Sequence, residues 1–468
     1  MDILRKKIFI KNNQASRFEF IFGICFCFFY FLFVNPINAQ WQEHKVTDQA
    51  VSPKKVIAAD IDGDGLIDII SMNSEKIEWY KNLGDGNFSD GILVGELIDG
   101  RDIAVGDING NGHPDIVGVR AGYYSSYNMF WYENLDGDGN FSAPKGISTP
   151  HTEGGLRVKI GDIDHDGHLD IVATTIEDRK LAWYKNSGNG TFDAGTVISS
   201  GYTSGYGLDI GDIDNDGDMD IVVNTPNYAI TSWFENLDGT GNFGEPREIG
   251  TRKMNLQSLF LADIDGDGDL DLIGSSVNEG FFWWENLDAE GNFSTQEKVI
   301  DTLAYSSHYS VDLDNDGDLD ILTTAPGYLK WYENLDGQGN FGEAQIIKDD
   351  LPFAITVTAA DLMNNGTINP ITASQRLNTI YWFKPTTVNI EDFKSESITV
   401  YPNPVENILS IKTEKPISLV ILYDVLNREV FRTDSEEKEI FLSHLNSGVY
   451  VLEIQTAEQT VFKRIVKK

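Results

Sequence analysis

Asp60-Ile-Asp62-Gly-Asp64-Gly-Leu-Ile-Asp68 is the stretch on which the fold turns. It puts carboxylates at positions 1, 3, 5 and 9 and glycine at position 6. The pattern returns from Asp107 to Asp115, Asp162 to Asp170, Asp212 to Asp220, Asp263 to Asp271 and Asp312 to Asp320, and an eroded copy starts at Asp361. Successive first aspartates are 47, 55, 50, 51, 49 and 49 residues apart. A period of this size marks supersecondary units that bury apolar surface against their neighbours.

One unit shows the parse. After Phe243 comes a short segment ending near Ile249, then Ser258-Leu-Phe-Leu-Ala leads into the Asp263 loop. Leu270-Asp-Leu-Ile-Gly and Phe281-Phe-Trp-Trp follow, and Leu287-Asp-Ala-Glu-Gly-Asn292 turns back to Phe293. Short apolar runs between Gly/Asn/Asp turns read as four strands per unit, with no helical period. Such four-stranded units pack radially, which predicts an all-β chain with a seven-bladed β-propeller over residues 40–384. The last unit stops after Trp382-Phe-Lys-Pro385, one strand short, and Trp41-Gln-Glu-His-Lys-Val46 has the pattern of the missing strand. Pairing the two would close the ring and leave no open edge.

The acidic loop reads as a calcium site. Alternate residues turn oxygens toward one hard cation, which takes six to eight such ligands, and the sixth-position glycine permits the sharp turn. The predicted ligands are Asp60, Asp62, Asp64 and Asp68; Asp107, Asn109, Asn111 and Asp115; Asp162, Asp164, Asp166 and Asp170. The later loops supply Asp212, Asp214, Asp216 and Asp220; Asp263, Asp265, Asp267 and Asp271; Asp312, Asp314, Asp316 and Asp320. Five loops are predicted strong. The second is weakened by its two asparagines, and the seventh, with Met363 and Asn369, is predicted to bind none. An EF-hand is rejected, because position 12 is Ser71, Ala173, Gly274 or Thr323 and strand residues follow. The plainer alternative, Asp/Gly-rich β-turns, accounts for one copy better than for a fixed array.

These Asp-x-Asp-x-Asp-Gly-x-x-Asp loops, preceded by Gly-Asp or Ala-Asp, resemble the FG-GAP/VCBS repeats, calcium-loop propellers also found in integrin α subunits. The resemblance covers roughly residues 41–384 and implies fold more than ligand, since the family spans adhesins, lectins and enzyme appendages. The Trp-Tyr-Glu-Asn signature at Trp131 and Trp331, varied at Trp79, Trp183, Trp233 and Trp283, looks like a subgroup seen beside carbohydrate-active proteins.

One tryptophan per blade (Trp79, Trp131, Trp183, Trp233, Trp283, Trp331, Trp382) is expected in the packing between blades rather than in a sugar-stacking array. The following asparagines (Asn82, Asn134, Asn186, Asn236, Asn286, Asn334) are expected to start turns. Turns one-to-two and three-to-four share a stereotyped face. The other turns vary: Ala121-Gly-Tyr-Tyr-Ser-Ser-Tyr127, Glu177-Asp-Arg179, Ser200 to Tyr206, Pro226-Asn-Tyr228, Tyr305 to His308 and Pro326-Gly-Tyr328. Tyr, Ser, Gly and Arg on rigidly held loops make an adaptable surface. The expected ligand residues are therefore Tyr123, Tyr124, Tyr127, Arg179, Tyr206, Tyr228 and His308.

The ends carry targeting information. Lys6, Lys7, Lys11 and Arg17 precede an apolar run from Phe18 to Val34, and Ala39 offers a cleavage junction. Residues 1–39 read as a secretory signal peptide, with an uncleaved anchor as the alternative. Both cysteines, Cys25 and Cys27, leave with it, so no disulfide and no transmembrane segment is expected in the mature chain. After a linker at 385–396, residues 397–468 read as a small Ig-like β-sandwich. Tyr401-Pro-Asn-Pro404, Leu445-Asn-Ser-Gly-Val-Tyr-Val451 and Lys463-Arg-Ile-Val-Lys-Lys468 resemble a type A sorting domain of the type IX secretion system. The resemblance implies passage across an outer membrane by that machinery. An appended adhesive domain is the alternative.

The net charge of −37 excludes nucleic acid, for no basic stripe is present to neutralise phosphates. Seven histidines show no zinc-ligand spacing, and no Gly-x-Ser-x-Gly elbow or phosphate loop occurs. The expected protein is a monomeric, secreted or surface-held calcium-binding adhesion module for a polysaccharide or an extracellular protein. A carbohydrate-active lyase or dehydratase on the same propeller is the alternative.

Overall fold

The structure, a computed structural model, describes residues 40–468 except 122–126, 148–153, 176–178, 201–206, 226–229, 251–255, 277–279, 303–306, 326, 387–397, 414–415, 425–428, 434–437, 444, 446–447 and 457–459. The expected signal peptide lies outside the described residues. No helix occurs among those described, and none is long and apolar enough to cross a membrane.

Between Gln40 and Thr386 the described residues form seven four-stranded antiparallel sheets, numbered here 1 to 7 with loops 1 to 7 at the same places. Sheet 1 runs Lys55–Ala59, Asp68–Met72, Lys76–Tyr80, Ile92–Glu96. The inner strands of sheets 2 to 7 are Gly100–Gly106, Gly155–Gly161, Leu208–Gly211, Leu256–Ala262, Ser307–Val311 and Ala354–Ala360. Each inner strand lies beside the next, and the seventh returns to the first. This is a β-propeller.

Three independent sets of contacts close the ring. Gln40–Thr47 is the outer strand of sheet 7 and pairs antiparallel with Thr379–Thr386, with Trp41 opposite Pro385 and His44 opposite Trp382. The apolar core between sheets 7 and 1 joins Leu362, Ile371, Ile380 and Trp382 to Val56, Ile69 and Tyr80. Along the inner strands, Thr356 Oγ1 accepts from Val56 N–H at 3.1 Å, as Asp102 Oδ2 does from Val158 and Asp209 Oδ2 from Leu261. Closure supplies sheet 7 with its fourth strand, so that only short outer edges remain unpaired around the ring.

Every core cluster in the ring draws on two adjacent sheets, and the signature tryptophans are buried in these seams as expected. A turn glycine lies against six of the seven rings: a Cβ at Gly139 would come within 2.2 Å of Trp79, and one at Gly86 within 2.3 Å of Trp382; Trp331 instead meets Trp41 edge-on. Both glycines have positive φ, so close approach and backbone conformation demand the same residue.

The C-terminal residues form two sheets around one core. Thr399–Tyr401, Ile408–Lys412 and Glu439–Phe441 make the first; Ile417–Asp424, Glu429–Thr433, Gly448–Thr456 and Thr460–Lys467 make the second. Val405, Leu409, Val420, Leu452, Ile454 and Ile465 fill the space between. Asn403 of the Tyr-Pro-Asn-Pro run donates to Arg464 O at 2.7 Å and accepts from Val466 N–H at 2.8 Å. Two signature segments far apart in sequence are thereby one structural clasp.

Candidate metal loops and the opposite face

Each acidic loop joins the first and second strands of its sheet. In all seven, the sixth-position glycine has φ between +80° and +102° and donates its N–H to the first aspartate at 2.6–3.1 Å. Position 4 is also left-handed, occupied by Gly63, Gly110, His165, Asn215, Gly266, Asn315 and Asn364. Only glycine and short polar residues enter that region at small cost, and the run of Gly, His and Asn there was the readable signal. From this position His165 reaches Asp218 at 3.3 Å and Asn215 reaches Asp269 at 2.7 Å, so neighbouring loops touch.

The ninth aspartate is fully buried in loops 1 to 6. Its Oδ1 accepts from the backbone N–H of the asparagine after the aromatic pair at 2.7–2.8 Å. In loop 1, Oδ2 of Asp68 also takes the N–H of Ile61, the buried residue at position 2. Trp183 donates its indole N–H to Asp170 at 2.9 Å. Burial pushes the carboxyls of Asp68, Asp115 and Asp170 up to about 6, and those of Asp220, Asp271 and Asp320 up to about 7. The backbone N–H bonds oppose this, and nearby loop aspartates add to it in several loops.

The asparagines do more than start turns. Asn134 Nδ2 donates at 2.8 Å to the carbonyl of Ile61 in the preceding loop. The same bond recurs from Asn186, Asn236, Asn286 and Asn334, and Asn82 joins sheet 1 to Leu362 of loop 7. Six of the seven loops are thus stapled to the next sheet; at the seam after loop 6, sheet 7 has Pro385 in the asparagine's place.

Carboxylate oxygens converge within 4.8 Å in loops 1, 3, 4, 5 and 6: Asp60, Asp62 and Asp68; Asp162, Asp164 and Asp166; Asp212, Asp214 and Asp216; Asp263, Asp265 and Asp271; Asp312, Asp314 and Asp316. Buried Oδ1 atoms of Asp60, Asp62, Asp164, Asp212, Asp214 and Asp265 have no hydrogen-bond partner in the chain. Converging hard oxygens with lone pairs left over fit a hard divalent cation. Loop 7 keeps the turn with only its first carboxylate: Asp361 accepts from Gly366 N–H, while Asn369 replaces the ninth aspartate and accepts from Leu362 N–H.

The residue between the aromatic pair and the asparagine has a role that sequence reasoning missed. Lys81 bonds Asp62 and lies 3.0 Å from Asp64; Lys185 bonds Asp164 and lies 2.9 Å from Asp166. At the same place in sheet 2, Glu133 accepts from Asn109 at 2.8 Å. In sheets 1, 2 and 3 this position meets its loop's third residue, and its change between Lys and Glu from unit to unit was the available sign.

The variable face is only partly described. Tyr123, Tyr124, Tyr206 and Tyr228 lie outside the described residues. Tyr127 is 41% exposed and packs over Gly146 of the outer strand in its own sheet. Arg179 is exposed, with φ of +54°. His308 is a correction. It sits on an inner strand, 8% exposed, stacked 4.4 Å from Phe281 and bonded to Thr323 Oγ1 at 3.0 Å. Burial pushes its ring down to about 3, so it is a neutral core histidine and not a surface ligand residue. Its strand begins one residue earlier, at Ser307, which the loop-like Tyr-Ser-Ser run concealed. A polar groove of about 620 Å³ lies at the rim, between the outer strand of sheet 7 and sheet 1, lined by Lys45, Asp48, Gln49, Lys76, Glu78 and Asp90.

Comparison with known proteins identifies these elements. The FG-GAP-like repeat family matches residues 60–118, 119–173, 162–223 and 312–368, and the secretion system C-terminal sorting domain matches 399–468. This is an FG-GAP-repeat protein with a sorting domain. No curated protein matches the chain. Its propeller is similar to a solved Agrocybe aegerita lectin described for specific recognition of non-reducing terminal N-acetylglucosamine. That lectin is 21% identical over 68% of this chain and 85% of its own, with a TM-score of 0.50. It is also similar to BBS1N in complex with ARL6DN, 11% identical over 74% and 98%, with a TM-score of 0.51. Both likenesses show the fold alone. Loop 5 of the FG-GAP protein lies outside the matched repeats yet has the same turn, glycine and buried ninth aspartate. The sorting domain marks the FG-GAP protein for secretion through type IX machinery to the outer cell surface.

Proposed function

We propose that this secreted FG-GAP propeller binds calcium in its acidic loops and holds a carbohydrate or matrix component with its variable face, as an adhesion module. The carrying observation is the division of labour between faces. On one, the turns of loops 1 to 6 are fixed by the same glycine, aspartate and asparagine bonds; on the other, turns differ in length and sequence and present Tyr127 and Arg179. Stereotyped turns suit cations, and variable turns on a rigid frame suit recognition. A lectin on the same fold makes glycans the first ligand class to test. No buried acid–base pair on the described part of that face suggests turnover.

The test is a glycan and matrix-protein array probed with the mature chain in millimolar calcium. Binding is expected, falling at least roughly tenfold in a variant carrying Tyr127→Ala and Arg179→Ala. Undiminished binding in that variant would remove the assignment of the face. New reducing ends or unsaturated sugars after incubation with the bound glycan would replace the adhesin with an enzyme.

A further inference from the structure

The loops are not electrostatically alike. The residue facing the third loop position is Lys81 in sheet 1 and Lys185 in sheet 3, each holding two loop aspartates. In sheets 4, 5 and 6 the same position is Glu235, Glu285 and Glu333; in sheet 2, where it is Glu133, the carboxylate accepts from Asn109 at the third loop position at 2.8 Å.

A second residue changes in step. Opposite the signature tryptophan, the outer strand carries Ile92 and Thr196 in the lysine sheets. In sheets 4 to 6 it carries Arg247, Lys298 and Gln345. Arg247 bonds Glu235, Lys298 lies 2.9 Å from Glu285, and Gln345 donates to Glu333 at 3.0 Å. Arg247 and Lys298 also lie over the rings of Trp233 and Trp283, at 4.5 and 4.1 Å. Each glutamate is thus steadied from behind, whereas the lysines turn inward and need no such partner. Asp265 of loop 5 is 8% exposed, and its Oδ1, among the oxygens of Asp263 and Asp271, has no hydrogen-bond partner; Oδ1 of Asp62 and of Asp164 is likewise unpartnered, but there an ammonium already sits on the other oxygen of the same carboxylate.

We propose that loops 4, 5 and 6 bind a divalent cation with Glu235, Glu285 and Glu333 as a further carboxylate, while in loops 1 and 3 the ammonium of Lys81 or Lys185 stands in for that cation. This rests on the calcium reading above and narrows it. An ammonium bonded to Oδ2 of two loop carboxylates neutralises part of their charge while leaving Oδ1 of Asp62 and Asp164 open, and its own charge repels the incoming ion. Admitting the ion means expelling the lysine to solvent. Loops 2 and 7, poor in carboxylates, belong to neither kind.

The experiment is calcium titration of the full mature chain by calorimetry, with stoichiometry counted by native mass spectrometry. Three tight sites are expected, with loops 1 and 3 weaker by roughly a hundredfold or more. Lys81→Glu and Lys185→Glu should each add one tight site, and Glu285→Lys should remove one. Five equivalent sites in the unaltered chain would overturn the proposal and leave the calcium reading standing. No bound calcium would overturn both. The unaltered chain decides between three, five and none even if a variant fails to fold.

Discussion

Asp220, Asp271 and Asp320 hold protons up to about pH 7, and Asp68, Asp115 and Asp170 up to about 6, chiefly because they are buried. Their folded values lie above the ordinary carboxylate range, so without metal the native state binds more protons than the unfolded chain. That contribution to stability is fully present below the unfolded pKa and is lost as pH rises through 6 to 7. In chelator, the melting temperature is therefore expected to rise as pH falls from about 8 to about 5. Calcium must displace those protons, so the gain in melting temperature on adding it should shrink over the same window. Calorimetric scans with and without chelator check both signs. The first, third, fifth, sixth and ninth positions were legible because chemistry confines them to Asp, Asn and Gly. The left-handed fourth position was harder to read, since only the set of Gly, His and Asn across all seven loops marks it, while His165 or Asn215 alone reads as an ordinary loop residue. His308 was misplaced for a related reason: Tyr-Ser-Ser-His has turn composition, yet its histidine is buried by sheet packing that composition does not encode.

Between elements, the recurring device is the asparagine staple. Asn134 is fully buried, donates to Ile61 O, and accepts from the N–H groups of Gly137 and Gly139. Asn134→Ala leaves those buried backbone groups without partners and should cost about 2–3 kcal/mol, read by chemical denaturation. A loss below about 0.5 kcal/mol would show the bond to be dispensable. The four strands per unit were readable from apolar runs broken by Gly and Asn, and the tryptophan seams followed from their size and regularity. The staple was hidden, because an asparagine before a turn already has a sufficient local explanation. Its second partner lies about seventy residues away in sequence. Likewise Lys81 and Glu285 look like exposed strand ends until the loop is folded beside them.

For the whole molecule, the decisive element is the outer strand Gln40–Thr47. It covers the edge of Thr379–Thr386, while His44 stacks on Trp382 at 4.2 Å. Deleting residues 40–47 should expose a long hydrophobic edge, with aggregation on size-exclusion chromatography and loss of a single sharp calorimetric transition. A monomer with an unchanged melt would show that closure contributes little. This long-range pairing was legible because the final unit lacks a strand and the first segment supplies its pattern. The ligand face was less so, since variable turns carry no repeat to read against.

The strand that seals the wheel is the first of its strands to be synthesised, and its partner is the last. The propeller consequently has no finished form until residue 386 has emerged; until then, its leading segment waits unpaired. Ring completion thus ties the stability of every sheet to a contact between the two ends of the propeller, one that can form only after the whole of it has been made.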